Sequence, residues 1–343
     1  MSLSKGKALL LSLRRVGVAL VLVVGGMLLM YAFWKPGLDV RDGHDDRWQN
    51  AIWLAHGWMG GDEWFYQNHK TNEFSKYREP ARVRELAAKL GNHGIRDVFP
   101  HLCPVGSDGS LPPVNPKQVE DFLDAFEGFR VMPWVGGPNG ANARLHISKW
   151  RASFVAHICE LLKQHSRFAG IHLNVEPLPS GDKDFLVLLD EVRAALPPDK
   201  ILSVAAYPPP TRWHPFPDVH WEESYFREVA KRCDQVVVMM YDAGQRLPKT
   251  YQRLMADWTV DVLKWSEGKS LLLGVPTYED AEVEYHHASV ENITNALLGI
   301  HAGLSRNAGR TNYQGLAIYS EWETSDAEWH YLGEHFLRAR ANK

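Results

Sequence analysis

Gly170-Ile171-His172-Leu173-Asn174-Val175-Glu176-Pro177 alternates apolar and polar residues with the period of a β-strand. Ile171, Leu173 and Val175 fall on one face, and His172, Asn174 and Glu176 on the other. An apolar back with three polar groups in line, ending at a carboxylate and a proline, suits a strand that does chemistry at its C-terminal end. The plainer reading is an antiparallel strand with one wet face. The flanking sequence decides between them.

Outward from this stretch, strand-like and helix-like segments alternate. The strand pattern predicts β-structure at Ile52–Trp58, Ile95–Leu102, Arg130–Val135, Ile171–Glu176, Ile201–Tyr207, Gln235–Tyr241, Leu271–Pro276 and Gly315–Tyr319. The helical period predicts helices at Glu79–Leu90, Pro116–Phe126, Ser148–Gln164, Asp184–Leu196, Ser224–Arg232, Tyr251–Trp265, Val290–Leu304 and Glu328–Arg340. Eight strands alternating with eight helices predict an α/β fold, a (β/α)8 TIM barrel over residues 51–343. A doubly wound open sheet is the alternative, but no strand-to-helix turn carries a Gly-rich dinucleotide fingerprint.

The N-terminus stands apart. Lys5, Lys7, Arg14 and Arg15 precede an uncharged apolar run from Val16 to Trp34. The run is long enough for a hydrocarbon core of ~30 Å. The basic residues before it predict a cytoplasmic segment over 1–15 and a transmembrane signal anchor over 16–34. A cleaved signal peptide is the rival, but no clean small-x-small site follows Met30-Tyr31-Ala32-Phe33-Trp34. Residues 35–50, polar and with Pro36 and Gly37, read as a linker. The expected location is a bacterial-type inner (cell) membrane, crossed once, with the barrel facing the periplasm or exterior and the bilayer as a partner.

Composition narrows the chemistry. A net charge of -3 over 343 residues gives no sign of a nucleic-acid partner. Thirteen Trp, twelve Tyr and thirteen Phe suit sugar stacking, though also a large core. Cys103, Cys159 and Cys233 form neither a metal spacing nor a disulfide framework and read as buried free thiols; one bridge stays open.

Barrel active sites lie at the C-terminal strand ends. There the sequence places His56 and Trp58, then His101 and Cys103, then Trp134, then His172, Asn174 and Glu176. Tyr207, Met239, Tyr241 and Asp242 follow, then Tyr278 and Glu279, and last Tyr319, Glu321 and Trp322. No P-loop and no lysine for a Schiff base occur among them, and no cofactor is expected. Carboxylates among aromatic walls suit glycosidic cleavage, in which a protonated carboxyl donates to the leaving oxygen. Metal is the rival, since His56, His101 and His172 can converge on a barrel mouth. They share no tight ligand spacing, and no metal is expected.

These residues resemble family 18 glycoside hydrolases, the chitinase-like group. That family's fourth strand reads Asp-Gly-x-Asp-x-Asp-x-Glu, where the segment from Ala169 to Glu176 keeps the Gly and the Glu. The three Asp positions hold Ala169, His172 and Asn174. The resemblance implies Glu176 as general acid, with Tyr241 and Asp242 of Met239-Met240-Tyr241-Asp242 holding the substrate's N-acetyl group. It implies that the substrate's own acetamide attacks the anomeric carbon, and an N-acetylhexosamine-containing polysaccharide as partner. Asn174 then orients the acetamide without a charge, as in the similar Asn-x-Glu of family 85 endoglycosidases. His172 either fixes Asn174 or marks lost catalysis. Tyr319 and Trp322 are both candidates for the family's eighth-strand Trp. His56, Trp58, Trp134, His172, Tyr207, Met239, Tyr278, Glu279, Tyr319, Glu321 and Trp322 are the expected substrate-binding residues. Two alternatives remain: a barrel that binds sugar without cleaving it, and a retaining two-carboxylate glycosidase using Glu279 or Glu321 with Glu176.

Overall fold

The computed structural model describes residues 3–70, 72–211, 217–266, 268–279, 285–307 and 311–339. The chain divides into two units, 1–36 and 37–343. The first is one helix, α1, Leu3–Phe33. Its stretch Leu13–Phe33 has a mean hydropathy of 2.4, enough by length and composition to cross a membrane.

The second unit is a closed barrel of eight parallel strands. They are β1 (Asn50–Leu54), β2 (Ile95–Pro100), β3 (Arg130–Val131 and Trp134–Pro138), β4 (Gly170–Glu176), β5 (Ile201–Ala206), β6 (Gln235–Val238), β7 (Ser270–Pro276) and β8 (Tyr313–Tyr319). Each pairs with the next, and β8 returns to β1. Pro133 has no N–H to give, so β3 is broken there. Leu102 N–H donates to Trp134 O (2.8 Å) and carries the β2–β3 ladder past the break. The helices that cover the barrel are α3 (Pro80–Asn92), α4 (Pro116–Ala125), α5 (Ser148–Gln164), α6 (Lys183–Ala195), α7 (Glu223–Arg232), α8 (Pro248–Trp265), α9 (Ile293–Ser305) and α10 (Asp326–His335); a short α2 (Asp62–Gln67) follows β1. Side chains fix several starts: Asn115, Asp182, Asn292 and Ser325 each accept a first-turn N–H, and Ser325 forms a capping box with Glu328.

The parallel sheet settles the meaning of the alternation in β4. Ile171, Leu173 and Val175 pack outward under the helices with Phe154 and Leu188. The other face looks into the lumen, where Trp53, Phe99, Met132, Val237 and Leu272 form a second apolar cluster. Both faces are therefore covered, and the wet-face reading fails.

A hydrogen-bond chain crosses the lumen. Trp53 Nε1–H donates to His172 Nε2 (3.1 Å), and His172 Nδ1–H to Ser203 Oγ (2.9 Å). Ser203 donates to Gln235 Oε1 (2.7 Å), and Gln235 Nε2–H to Asp97 Oδ2 (2.7 Å). Arg130 closes the chain with two bonds to Asp97, 2.6 and 2.7 Å. His172 stacks on Phe99 at 4.0 Å. Burial lowers its pKa to about 3, so the ring is neutral with the tautomer that this chain requires.

Several boundaries differ from the sequence reading. β1 ends before Trp58, and β6 ends at Val238, which leaves Met239 to Asp242 in the following loop. α10 ends at His335; the expected end at Arg340 lies outside the described residues, as do Asp280 to Glu282. Residues 37–50 are not a free tether. Leu38 N–H donates to Leu298 O (2.8 Å), Asp45 pairs with His301, and Asp39 pairs with His335 at 2.8 Å. Asp39 and Asp45, which looked like linker polarity, meet buried histidines.

Candidate active site

Glu176 ends β4 and opens into a cleft of about 270 Å³. β3 approaches β4 closely beside it. A Cβ on Gly136, whose φ is +134°, would lie 1.7 Å from Asn174 O, so only glycine fits. Asn174 Nδ2–H donates to Glu176 Oε1 (2.6 Å), and Tyr207 O–H donates to Oε2 (3.3 Å). Asn174 Oδ1 is buried and finds no protein partner. The Glu176 pKa is raised. Removal from water is the main cause, the bonds from Asn174 and Tyr207 oppose it, and the Asp242 charge adds to it. Glu176 does have exposed surface, but it is surface at a cleft floor walled by protein.

The same cleft is lined by Tyr207, Met239, Tyr241 and Asp242. Tyr241 stacks on Tyr319 at 5.4 Å. Asp242 has a φ of +58° and accepts from Tyr278 O–H. Tyr278 itself is buried behind the cleft. A second cavity of about 400 Å³ lies at the same barrel mouth, lined by His56, Trp64, His101, Trp134, Tyr319 and Trp322, among others. His56 is sandwiched between Trp64 (3.8 Å) and His101 (3.4 Å). Burial, with a smaller push from Lys70, lowers its pKa to about 3.

Besides Tyr278, four expected contacts fall elsewhere. His172 cannot touch substrate, because it has no exposed surface and both its ring nitrogens are used within the lumen. It does not bond Asn174; Trp53 and Ser203 hold it. Trp58 is 2% exposed, packed edge-on against Tyr77, and gives its N–H to Glu321 (3.4 Å). Glu321 also accepts from Ala55 N–H (3.3 Å) and serves the loop after β1. Glu279 is exposed, with its N–H on Glu323 (3.0 Å). Neither Glu321 nor Glu279 lines the Glu176 cleft. The three histidines weighed for zinc do not converge, since His172 is sealed in the lumen. Among the described residues, the group with metal-ligand proximity is Asp242, His286 and Glu291, within 4.8 Å of one another.

The cleft also takes in Pro208, which follows Tyr207 at the end of the fifth strand, and Asp218, His220, Trp258 and Tyr285, which the sequence reading missed. Most sit on loops after β5 and β7, where no periodicity marks them. Trp258 comes from α8 and donates to Pro209 O (2.9 Å), which fixes the proline-rich loop beneath Tyr207.

A parallel (β/α)8 barrel with a raised carboxyl at the end of its fourth strand has the fold of a barrel glycosidase. The family model of glycosyl hydrolases family 18 matches residues 106–334, more than half of the chain, and the chain belongs to that family. Among solved structures, it is similar to a chitinase from Chromobacterium violaceum ATCC 12472, with a TM-score of 0.55 and 16% identity over 84% of this chain and 98% of that one. The spore cortex-lytic enzyme SleL of Bacillus cereus follows with a TM-score of 0.53 and 13% identity, covering 84% of this chain and 74% of that one. SleL of Bacillus megaterium QM B1551 gives 0.51 and 14%, with the same coverage. These likenesses show the fold. No curated protein matches the sequence significantly.

Proposed function

We propose that this chain hydrolyses a polysaccharide containing N-acetylhexosamine, with Glu176 as general acid and the substrate's acetamide as nucleophile. The observation that carries the reading is the Glu176 carboxyl itself. It ends β4 in a cleft shared with Tyr241 and Asp242, bonded by Asn174 at 2.6 Å and raised in pKa by burial. A raised carboxyl stays protonated nearer neutrality and has a proton to give. Glu176 donates it to the glycosidic oxygen as that bond breaks, while the acetamide oxygen forms a bond to the anomeric carbon. Water then opens the cyclised intermediate and returns a proton to Glu176. Asn174, Tyr241 and Asp242 orient the acetamide in this scheme, and Tyr207, Met239, Trp134, Tyr319, Trp322 and His56 line the sugar's path. The helix over 13–33 supports a membrane-anchored enzyme that crosses once, and the basic residues before it are the ground for placing the barrel outside the cytoplasm.

A second reading, sugar binding without cleavage, is favoured by one observation: Asn174 puts an uncharged group where the family carries Asp. One experiment separates the two. The full-length protein, recovered from the membrane fraction at high salt, is assayed against a panel of N-acetylated glycans beside Glu176→Gln. We expect turnover of at least one glycan, and a rate loss of about 10²-fold or more in the variant with binding retained. Full activity in Glu176→Gln would sink the assignment. Binding with no turnover in the parent protein would establish the second reading.

A further inference from the structure

Behind Asp242 sits a buried pair that the scheme above leaves without a role. Glu291, just before α9, has no exposed surface. Its two oxygens accept separately from Ala243 N–H (2.8 Å) and Gln245 N–H (2.7 Å), donors that follow Asp242 in the chain. Between them, Gly244 N–H donates to Tyr285 O (2.9 Å). Asp242 itself holds a φ of +58°, which a non-glycine residue keeps only when its surroundings fix it. His286 fills the space between the two carboxylates. Its Nδ1 lies 3.0 Å from Asp242 Oδ1 and 3.9 Å from Glu291 Oε2. The first contact is at ion-pair distance but off the line of a well-formed hydrogen bond. Nε2–H donates to Tyr278 O (3.1 Å), and the ring stacks on Tyr278 at 4.1 Å.

We propose that Glu291 and His286 are positioning residues for Asp242: Glu291 clamps the backbone that follows it, and His286 with Tyr278 aims its carboxylate into the cleft. This rests on the hydrolytic reading of that cleft. A clamp on two N–H groups needs both carboxylate oxygens as acceptors. One proton on Glu291 turns one oxygen into a donor facing an N–H, and half the clamp is lost. Burial pushes the Glu291 pKa up to about 7, against its two backbone bonds and His286, while Asp242 adds to the rise. For His286, burial pulls the pKa down, but Asp242, then Glu291 and the Tyr278 carbonyl outweigh it and leave it raised. From α8, Tyr251 also faces both carboxylates, with its hydroxyl held on Met240 O (2.9 Å). The sign follows. As pH falls through about 7, Glu291 gains its proton and the clamp loosens. Turnover therefore drops on the acid side through Glu291, whereas loss of the Glu176 proton limits the alkaline side.

The test is a double-mutant cycle on the full chain in detergent, with Asp242→Asn, Glu291→Gln and the pair. Hydrolysis and binding of an N-acetylated oligosaccharide are followed from pH 5 to 9. At pH 8, Glu291→Gln should lower kcat about tenfold with KM within about twofold, and should flatten the acid limb. In the Asp242→Asn background it should cost less than about twofold, because the residue it positions is already altered. If the chain binds sugar without cleaving it, the same cycle is read in affinity, so failure of hydrolysis and failure of the clamp are distinct results. If Glu291→Gln does not fold, His286→Gln takes its place in the cycle. Additive losses, or an unchanged acid limb in Glu291→Gln, overturn the proposal. So does a divalent ion that copurifies with the protein and is lost in that variant, since the three groups would then be its ligands.

Discussion

His172 and Asn174 are neighbours on one face of one strand, and the structure treats them in opposite ways. At the level of His172 every polar group is spoken for. Trp53, His172, Ser203, Gln235, Asp97 and Arg130 form an unbroken hydrogen-bond chain in the lumen that Phe99, Met132, Val237 and Leu272 share. One layer higher, Asn174 keeps a buried oxygen without a protein partner, and Glu176 is raised in pKa by burial that two bonds only partly offset. A satisfied network rigidifies and specifies a fold. Groups left short of partners in a cleft are poised to be completed by a ligand. On this strand the layer whose polar groups are incomplete is thus the candidate for chemistry, and polarity alone does not identify that layer.

The largest effect that tests this contrast is on stability. His172→Ala removes the partner of Trp53 Nε1 and of Ser203 and leaves a cavity against Phe99. Two stranded polar groups and a lost ring should cost about 3 kcal/mol in denaturant unfolding, with kcat of the remaining folded protein little changed. The variant should also show a changed pH response. The folded-state pKa of His172 lies at about 3, below the ordinary 6.5, so the unfolded chain takes up the proton first. Stability from this group is present above pH 6.5 and is lost as pH falls towards 3, at about 1.4 kcal/mol per pH unit. Replacing His172 should flatten the acid slope by that amount. A large fall in kcat with unchanged stability would place His172 in the site after all.

Asn174→Ala is the mirror case. It deletes the donor on Glu176 and the unpartnered oxygen together, so stability should change by less than about 0.5 kcal/mol. The rate should fall about 10- to 10²-fold, or about 1.4 to 2.7 kcal/mol in barrier, because the cyclising acetamide loses a hydrogen-bond partner. A thiazoline analogue of the cyclised intermediate should bind the parent protein much more tightly than the plain sugar, and the variant should lose that preference. Tight thiazoline binding that survives Asn174→Ala would remove Asn174 from the mechanism.

This contrast also explains what was legible in the sequence. Periodicity reports faces, and the faces were readable. The helix over Ser148–Gln164 and the inward set His172, Asn174 and Glu176 stand where the pattern puts them. Periodicity does not report depth along the barrel axis. His172 and Trp58 looked like mouth residues by proximity to a strand end, yet the first sits a layer down and the second folds back under Tyr77. Asp39 and Asp45 looked like linker polarity because their buried partners, His335 and His301, are hundreds of residues away. Asp218, His220 and Tyr285 come from loops, which carry no period, and only the fold brings them to Glu176.

The smallest expected effect is the one that decides between mechanisms. A retaining glycosidase with two carboxylates needs the second carboxyl about 5 to 5.5 Å from the acid. Glu279 was the candidate from strand seven, but it is exposed and does not line the Glu176 cleft, where Asp242 and Asp218 are the acidic neighbours. Glu279→Gln should therefore leave kcat/KM within about twofold, well inside the range of surface substitutions. Loss of a true nucleophile would instead cost several powers of ten. A fluorinated-sugar trap followed by peptide mass mapping gives the complementary reading: neither Glu279 nor Glu321 should be labelled. Glu321→Gln would report differently, because Glu321 holds Ala55 N–H and Trp58 Nε1–H, and its loss should show in unfolding before it shows in rate. A label on either glutamate, or a collapse of turnover in Glu279→Gln with the fold intact, would replace acetamide participation by a covalent glycosyl-enzyme.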